Sequence, residues 1–192
     1  MSTRFVTGVV RASYANIMRP KRNEMNGKEE YSVVCLVPKT DTATVEGLKA
    51  AAKAAIVAKW PTGAPKGLRN PLRDGDTETK ADGSPLGAEY SGCYFFNAKT
   101  DASRNKPSVI DKGGRDMIDP DAVVSGDFIR VSVNAYAYDA AGNRGVSFGL
   151  NNVLLERKGE PLGASRPSAA QEFGIAAGAI APAAAAADDD WS

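Results

Sequence analysis

Not one histidine occurs in the 192 residues of this chain. That absence removes imidazole general bases, the usual serine and cysteine triads, and zinc sites that need a histidine ligand. Cysteine is nearly as scarce. Cys35 and Cys93 lie far apart, each inside an apolar run, and no CxxC is present. They read as buried thiols of a reducing compartment. There is no GxxxxGK[ST] loop, and no GxGxxG follows a strand pattern. Long hydrophobic runs are missing too. The N-terminus, MSTRFVTGVV, lacks the continuous apolar core of a signal peptide. The longest apolar run, 175–187, is Ala and Gly broken by Pro182, too short and weak to span a bilayer. No membrane partner and no cofactor are expected.

Carboxylates cluster at 74–78, but an EF-hand is excluded, because Thr79 stands where the loop needs Gly and Pro85 where it needs Glu. Asp74, Asp76, Glu78, Asp119 and Asp121 form a candidate magnesium set for a nuclease. An Asp- and Gly-rich turn is the simpler account of 74–78.

What is present is an uneven charge distribution. The formal net charge is +1. Residues 1–160 hold 23 of the 24 Lys and Arg and 19 of the 23 Asp and Glu, a net of +4; residues 161–192 hold Arg166 against Glu172 and Asp188–Asp190, a net of −3. A basic body joined to an acidic tail points to a polyanionic partner with which the tail can compete.

The body is rich in strand patterns. Residues 4–14 read as a first strand and 31–38 as a strand buried on both faces, with 17–27 as a loop between them. One helix follows, capped by Asp41 or Thr42, with Val45, Leu48, Ala52, Ala55 and Ile56 at helical spacing, and it stops near Trp60–Pro61. Residues 61–87 form a long Gly- and Pro-rich loop. Strands follow at 88–98, in PSVID and at 127–139, and VSFGLNNVLLE closes the body. One helix among many strands fits a small β-barrel better than an α/β fold. We divide the chain into a body, 1–162, and a disordered Ala/Pro-rich linker with an acidic tip, 163–192.

The strand 127–139 shows two faces, because successive side chains alternate. Ile129, Val131, Val133, Ala135 and Ala137 face a core. Phe128, Arg130, Ser132, Asn134, Tyr136 and Tyr138 face the other way. Rings, a guanidinium and amides on one face suit unstacked bases and their backbone. Taken alone, these rings read as ordinary cross-strand aromatics. Three basic loops shift the balance: Arg11, Arg19, Lys21 and Arg22; Lys66, Arg69 and Arg73; Lys99, Arg104 and Lys106. Residues 1–23 hold five basic side chains and no acidic one. Each cluster is also compatible with a solvated surface. Tyr94 and Phe96 share one side of their strand, but that strand looks buried on both faces.

The stretches VRASY, YSVVCLVPKTDTATVEGL, PLRDGDTE, YSGCYFFNA, VVSGDFIRVSVNAYAYDAAGNRGVSFGLNNV and GEPLG occur in order through most of residues 4–163. Together they resemble a bacteriophage family of single-stranded DNA-binding proteins, similar to those of podophage replication. The resemblance implies an OB-fold-like, mainly β barrel with one inserted helix and a disordered acidic C-terminal tail. It also implies binding without sequence preference, in phage DNA replication, recombination or repair, in the host cytoplasm and without catalysis. It further implies that a tip such as Asp188, Asp189, Asp190 and Trp191 docks on replication or recombination proteins. Here Trp191 is penultimate, which leaves the docking chemistry open in detail. Weak homo-oligomerisation is compatible with this reading. The rivals are a metal-dependent nuclease or other replication enzyme, a structural phage protein without nucleic-acid binding, and a cold-shock-like RNA binder.

Overall fold

The computed structural model describes residues 2–24, 26–140 and 142–162. The tail and its tip, including Asp188–Trp191, lie outside the described residues. Among the described residues, eight strands and one α-helix follow in chain order: β1 (Arg4–Val6), β2 (Val10–Arg22), β3 (Glu29–Pro38), α1 (Thr42–Lys59), β4 (Arg73–Asp74), β5 (Cys93–Asp101), β6 (Ser108–Ile110), β7 (Phe128–Ala140) and β8 (Asn143–Arg157).

Five of these strands close a ring. β2 pairs antiparallel with β3, β3 with β5, and β2 with β7; β7 pairs antiparallel with β8, and β8 returns to pair parallel with β5. A five-stranded barrel closed by a parallel pair between its third and fifth strands is the OB-fold-like topology expected. α1 is inserted between the second and third barrel strands. The interior is apolar because each strand turns alternate residues inward. Val33, Cys35 and Phe96 are fully enclosed with Ile129, Val131, Val133 and Phe148. Phe96 and Phe148 meet edge to face at 5.1 Å.

The helix begins at Asp41, whose Oδ1 accepts the Thr44 N–H at 3.1 Å, and ends at Trp60, ahead of Pro61. Val45, Leu48, Ala51 and Ala55 face the core. Gly47 leaves room for the Phe5 ring, which a Cβ there would overlap. Thr44 Oγ1 accepts the Gly8 N–H at 2.8 Å, so the helix holds the β1–β2 connection against the barrel.

Several local boundaries differ from the sequence reading. Residues 4–14 are two strands. The segment expected as a loop at 17–27 is strand as far as Arg22, because Lys21 and Arg22 pair with Glu30 and Glu29. Pro20 sits where that ladder is interrupted, a position that needs no N–H. Residues 88–90 form a 3₁₀ turn, and the strand begins at Cys93 and runs to Asp101, so Lys99 lies on a strand. Leu36, Tyr90 and Phe95 form a second apolar cluster on the outer wall, with Tyr90 and Phe95 edge to face at 5.0 Å. The cluster itself borders a cleft, through Val34, Leu86, Tyr90 and Phe95, and part of the wall beyond it is open.

Candidate nucleic-acid interface

The open part of the outer wall holds adjoining clefts. The largest, about 630 Å³, is lined by Arg69, Asn70, Arg73, Tyr94, Asn97, Tyr138 and Ser147, among others. A second, about 360 Å³, shares Asn97 with it and adds Lys21, Arg22, Glu30, Ser32 and Lys99. A third, about 350 Å³, shares Arg73 with the first and adds Tyr14, Val34 and Phe95. Together they make a groove across β5 and the neighbouring strands.

β8 borders the largest cleft at Val146 and Ser147. Outward-facing Gly145, Ser147 and Gly149 pair with Tyr138, Tyr136 and Asn134 of β7. A Cβ at Gly145 would lie 2.9 Å from the Tyr138 hydroxyl and from Arg69, and a Cβ at Gly149 would lie 3.9 Å from the Tyr136 ring. The missing side chain at buried Gly145 makes room for Arg69 and the Tyr138 hydroxyl at the edge of the trough. Arg69 is drawn into it by backbone pairing, its N–H donating to the Arg144 carbonyl at 2.9 Å and its own carbonyl accepting the Val146 N–H at 3.2 Å. Arg73 pairs with Phe95 on β5, and its guanidinium lies 4.3 Å from that ring's centroid.

The groove carries both signs of charge: Lys21, Arg22, Arg69, Arg73, Lys80 and Lys99 line it, and so do Glu24, Glu30, Asp74, Glu78 and Glu89. Among the described residues, Lys21, Arg22, Arg69 and Arg73 make no ion pair. Lys99 is paired with Glu30 at 3.1 Å, and Lys39 bridges Asp74 at 2.6 Å and Asp76 at 2.7 Å. Hydrogen bonding from Lys39 holds both aspartates below the ordinary carboxylate range. Asp74 and Asp76 therefore share one lysine, and Glu78 makes no ion pair among the described residues. Among the described residues, no group of three or more His, Cys, Asp or Glu is placed to hold a metal ion. Burial pushes both thiols, Cys35 and Cys93, above their ordinary range. Among the described residues no helix is long and apolar enough to cross a membrane.

Of the residues singled out from sequence, the structure brings Lys21, Arg22, Arg69, Arg73, Lys99 and Tyr138 into the clefts, with Tyr136 alongside. It takes others elsewhere. Arg11 donates to the carbonyls of Gly126 at 3.3 Å and Glu160 at 3.0 Å. Phe128 lies between the guanidiniums of Arg11 and Arg157, at 5.7 and 3.3 Å from its centroid. Arg130 donates to the Thr7 carbonyl at 3.1 Å, and Asn134 accepts from the Thr3 hydroxyl at 3.0 Å. Arg19 borders a separate cleft with Pro120 and Asp121. Lys66, Arg104 and Lys106 are exposed on loops outside the three clefts. Phe96 is inside the barrel; Tyr94 packs on the core beneath Lys39, whose Nζ is 5.2 Å from its centroid, while also lining the largest cleft.

Tyr14 is the groove residue that strand alternation does not reveal. It is 69% exposed and has φ +46°, where the β2–β3 ladder slips between Ser13 and Asn16. A tyrosine held in the left-handed region is uncommon and marks a constrained position. The bulge turns its ring out toward the third cleft. Asn97 and Ser32 were missed as well, since isolated polar residues in an apolar strand carry no signal of their own.

An OB-fold-like barrel with a cation-lined, aromatic-edged groove defines a class of nucleic-acid-binding modules, and the comparisons with known proteins narrow it. The family described as "Enterobacter phage Enc34, ssDNA-binding protein" matches residues 3–189, and the chain belongs to that family, one of binding proteins rather than enzymes. Protein p50 of Acyrthosiphon pisum secondary endosymbiont phage 1 is 28% identical over 174 residues, covering 85% of this chain and 89% of that one. The fold is similar to that of the single-stranded DNA-binding protein of bacteriophage Enc34 in its complex with ssDNA, with TM-score 0.71 and 20% identity over 84% of this chain and 90% of the other. It is also similar to gp2.5, a single-stranded DNA-binding protein of bacteriophage T7, with TM-score 0.59 and 18% identity over 84% and 90% of the two chains.

Proposed function

We propose that this protein binds single-stranded DNA without sequence preference in phage DNA replication, recombination or repair, in the host cytoplasm, with residues 1–162 as the binding domain. The observation that carries this reading is the groove itself. Lys21, Arg22, Arg69 and Arg73 flank a trough beside Tyr138 and Tyr136, with Tyr14 at one end. Cations along the trough follow a phosphate backbone, and rings at its edge stack on any base, because every base has a π-face. The solved Enc34 relative, bound to ssDNA, supports the same assignment. In the same reading the linker and tip, 163–192, recruit replication or recombination proteins through Asp188–Trp191 and compete with DNA, supported by the net −3 of residues 161–192 against the net +4 of 1–160.

Titration of fluorescent oligo-dT, oligo-U and duplex DNA at several salt concentrations tests this. If roughly four to six phosphates are neutralised, log affinity falls against log salt with a slope of about −3 to −4. Arg69→Ala with Arg73→Ala is expected to flatten it by about 1.4. An unchanged slope removes this groove from the interface. The same titration on the chain ending at residue 187 is expected to show tighter binding, most at low salt; equal or weaker binding there removes the competition.

A further inference from the structure

Two side chains in the second cleft, Glu24 and Glu30, have the wrong charge for a DNA groove, and of the two only Glu30 is ion-paired to a cation of the cleft among the described residues. Glu30 of β3 lies among Lys21, Arg22 and Lys99, and its side chain is largely buried, 13% exposed. Lys99 Nζ donates to both of its oxygens, at 3.1 and 3.2 Å. The amides of Asn23 and Asn26, from the β2–β3 hairpin, donate to them at 2.9 and 3.0 Å. Burial by itself raises the Glu30 pKa, but these hydrogen bonds prevail and hold it below the ordinary range, so it is ionised at neutral pH. Two planar oxygens on one ammonium, with amide donors behind, present Lys99 with the kind of anion that a phosphate would offer.

We propose that Glu30 is a built-in competitor for the DNA backbone: its carboxylate occupies the place on Lys99 that a phosphate takes, and strand entry at this end of the groove is an exchange of one anion for another. The inference rests on the proposed groove and adds its regulation. The two amides come from the hairpin rather than from the strand that carries Lys99, so they keep the displaced carboxylate beside the incoming phosphate. The repulsion persists in the complex and favours release. The cation that the orphaned carboxylate then takes up offsets the one that the phosphate gives off, so this contact adds little to the salt dependence.

The test is a two-by-two titration with oligo-dT. Glu30→Gln keeps the shape and removes the charge; it is expected to tighten binding about tenfold at low salt and to steepen the salt slope by about 0.7. Lys99→Met in the otherwise native chain is expected to leave the slope unchanged, and in the Glu30→Gln chain to flatten it by about 0.7. The Lys99→Met arm leaves the Asn23 and Asn26 bonds to Glu30 in place, so it reads the exchange even if Glu30→Gln loosens the hairpin. Lys99→Met flattening the slope equally in both backgrounds overturns the proposal. So does a Glu30→Gln chain of native melting temperature that binds no more tightly. Tyr138→Ala separates the two levels: if it weakens binding while the Glu30 and Lys99 changes do nothing, the groove stands and the exchange falls. If none of the three matters, the groove reading falls first.

Discussion

Two arginine–aromatic clusters lie on the outer wall of this barrel, and they share one strand. At the start of β7, Phe128 is held between Arg11 and Arg157. Near its end, Tyr138 stands beside Arg69 and Arg73. By composition they are equivalent, and the alternation of β7 places Phe128 and Tyr138 on the same face. Their surroundings separate them. The Phe128 cluster lies under the segment 158–162. Arg11 donates to the Glu160 carbonyl, and Leu162 N–H donates to the Ser125 carbonyl at 3.1 Å. Fully buried Asp127 accepts from Val124 N–H at 2.9 Å, Lys158 Nζ at 2.8 Å and Gly159 N–H at 3.1 Å. At the other end the guanidiniums of Arg69 and Arg73 have no carboxylate partner among the described residues, and β8 borders the cleft with Val146 and Ser147. A guanidinium whose donors are bound to carbonyls is structural; one left beside a trough remains available to phosphate.

The sharpest way to break this comparison is through its glycines. Gly126 has φ +110°, and a Cβ there would overlap the Glu160 carbonyl oxygen, a backbone atom that cannot swing aside. Gly126→Ala is expected to destabilise the fold by about 2–4 kcal/mol, read as a lower melting temperature. Gly145→Ala meets the Arg69 Cβ, the Arg69 carbonyl oxygen and the Tyr138 hydroxyl at 2.9 Å, a milder overlap and without a positive φ. It is expected to cost less stability than Gly126→Ala and to weaken DNA binding by shifting Arg69 and Tyr138. The reverse ranking would mean that the two ends have been assigned the wrong way round.

Ring removal sharpens the same contrast at smaller magnitude. Tyr138→Ala is expected to weaken oligo-dT binding by about 1–3 kcal/mol, with Tyr138→Phe retaining most of it, because the ring does the stacking. Phe128→Ala is expected to lower the melting temperature while leaving the affinity of the folded protein unchanged. Loss of binding with Phe128→Ala at full folding would place the closed cluster in the interface.

The smallest effect is expected at the hairpin end of the groove, where Lys28 pairs with Asp101 at 3.3 Å. The Ser103 hydroxyl and N–H, then Lys28, lower the Asp101 pKa to about 2. A folded-state pKa below the unfolded one contributes stability above the ordinary carboxylate range that is lost as pH falls through the folded value. The Asp101 contribution is thus expected to fade between about pH 4 and pH 2. Acid melting curves of the native and Asp101→Asn chains should converge across that window; a constant difference between them would show that the carboxylate charge is not what matters.

Period-two alternation along 128–137 was legible in the sequence and placed Ile129, Val131, Val133 and Ala135 in the core, as found. So were the helix, with its cap narrowed to Asp41 or Thr42, and a strand order that fits a small β-barrel; the structure chose Asp41. These depend on neighbours within a few residues, where backbone geometry dictates which way a side chain points. Which outward side chains stay open did not follow, because the covering segment comes from elsewhere in the chain. Arg11 and its acceptor at Glu160 are 149 residues apart, and Arg130 and its acceptor at Thr7 are 123 apart. Tyr14 escaped notice for a related reason: its outward turn depends on a slip in pairing with β3, which is a property of two strands together. The sequence by itself determined the kinds of groups on each face of each strand. Only the tertiary structure decided which arginines found carbonyls and which were left beside a trough, since hydrogen-bond partners are chosen by proximity in space and proximity is set by the closed ring of strands.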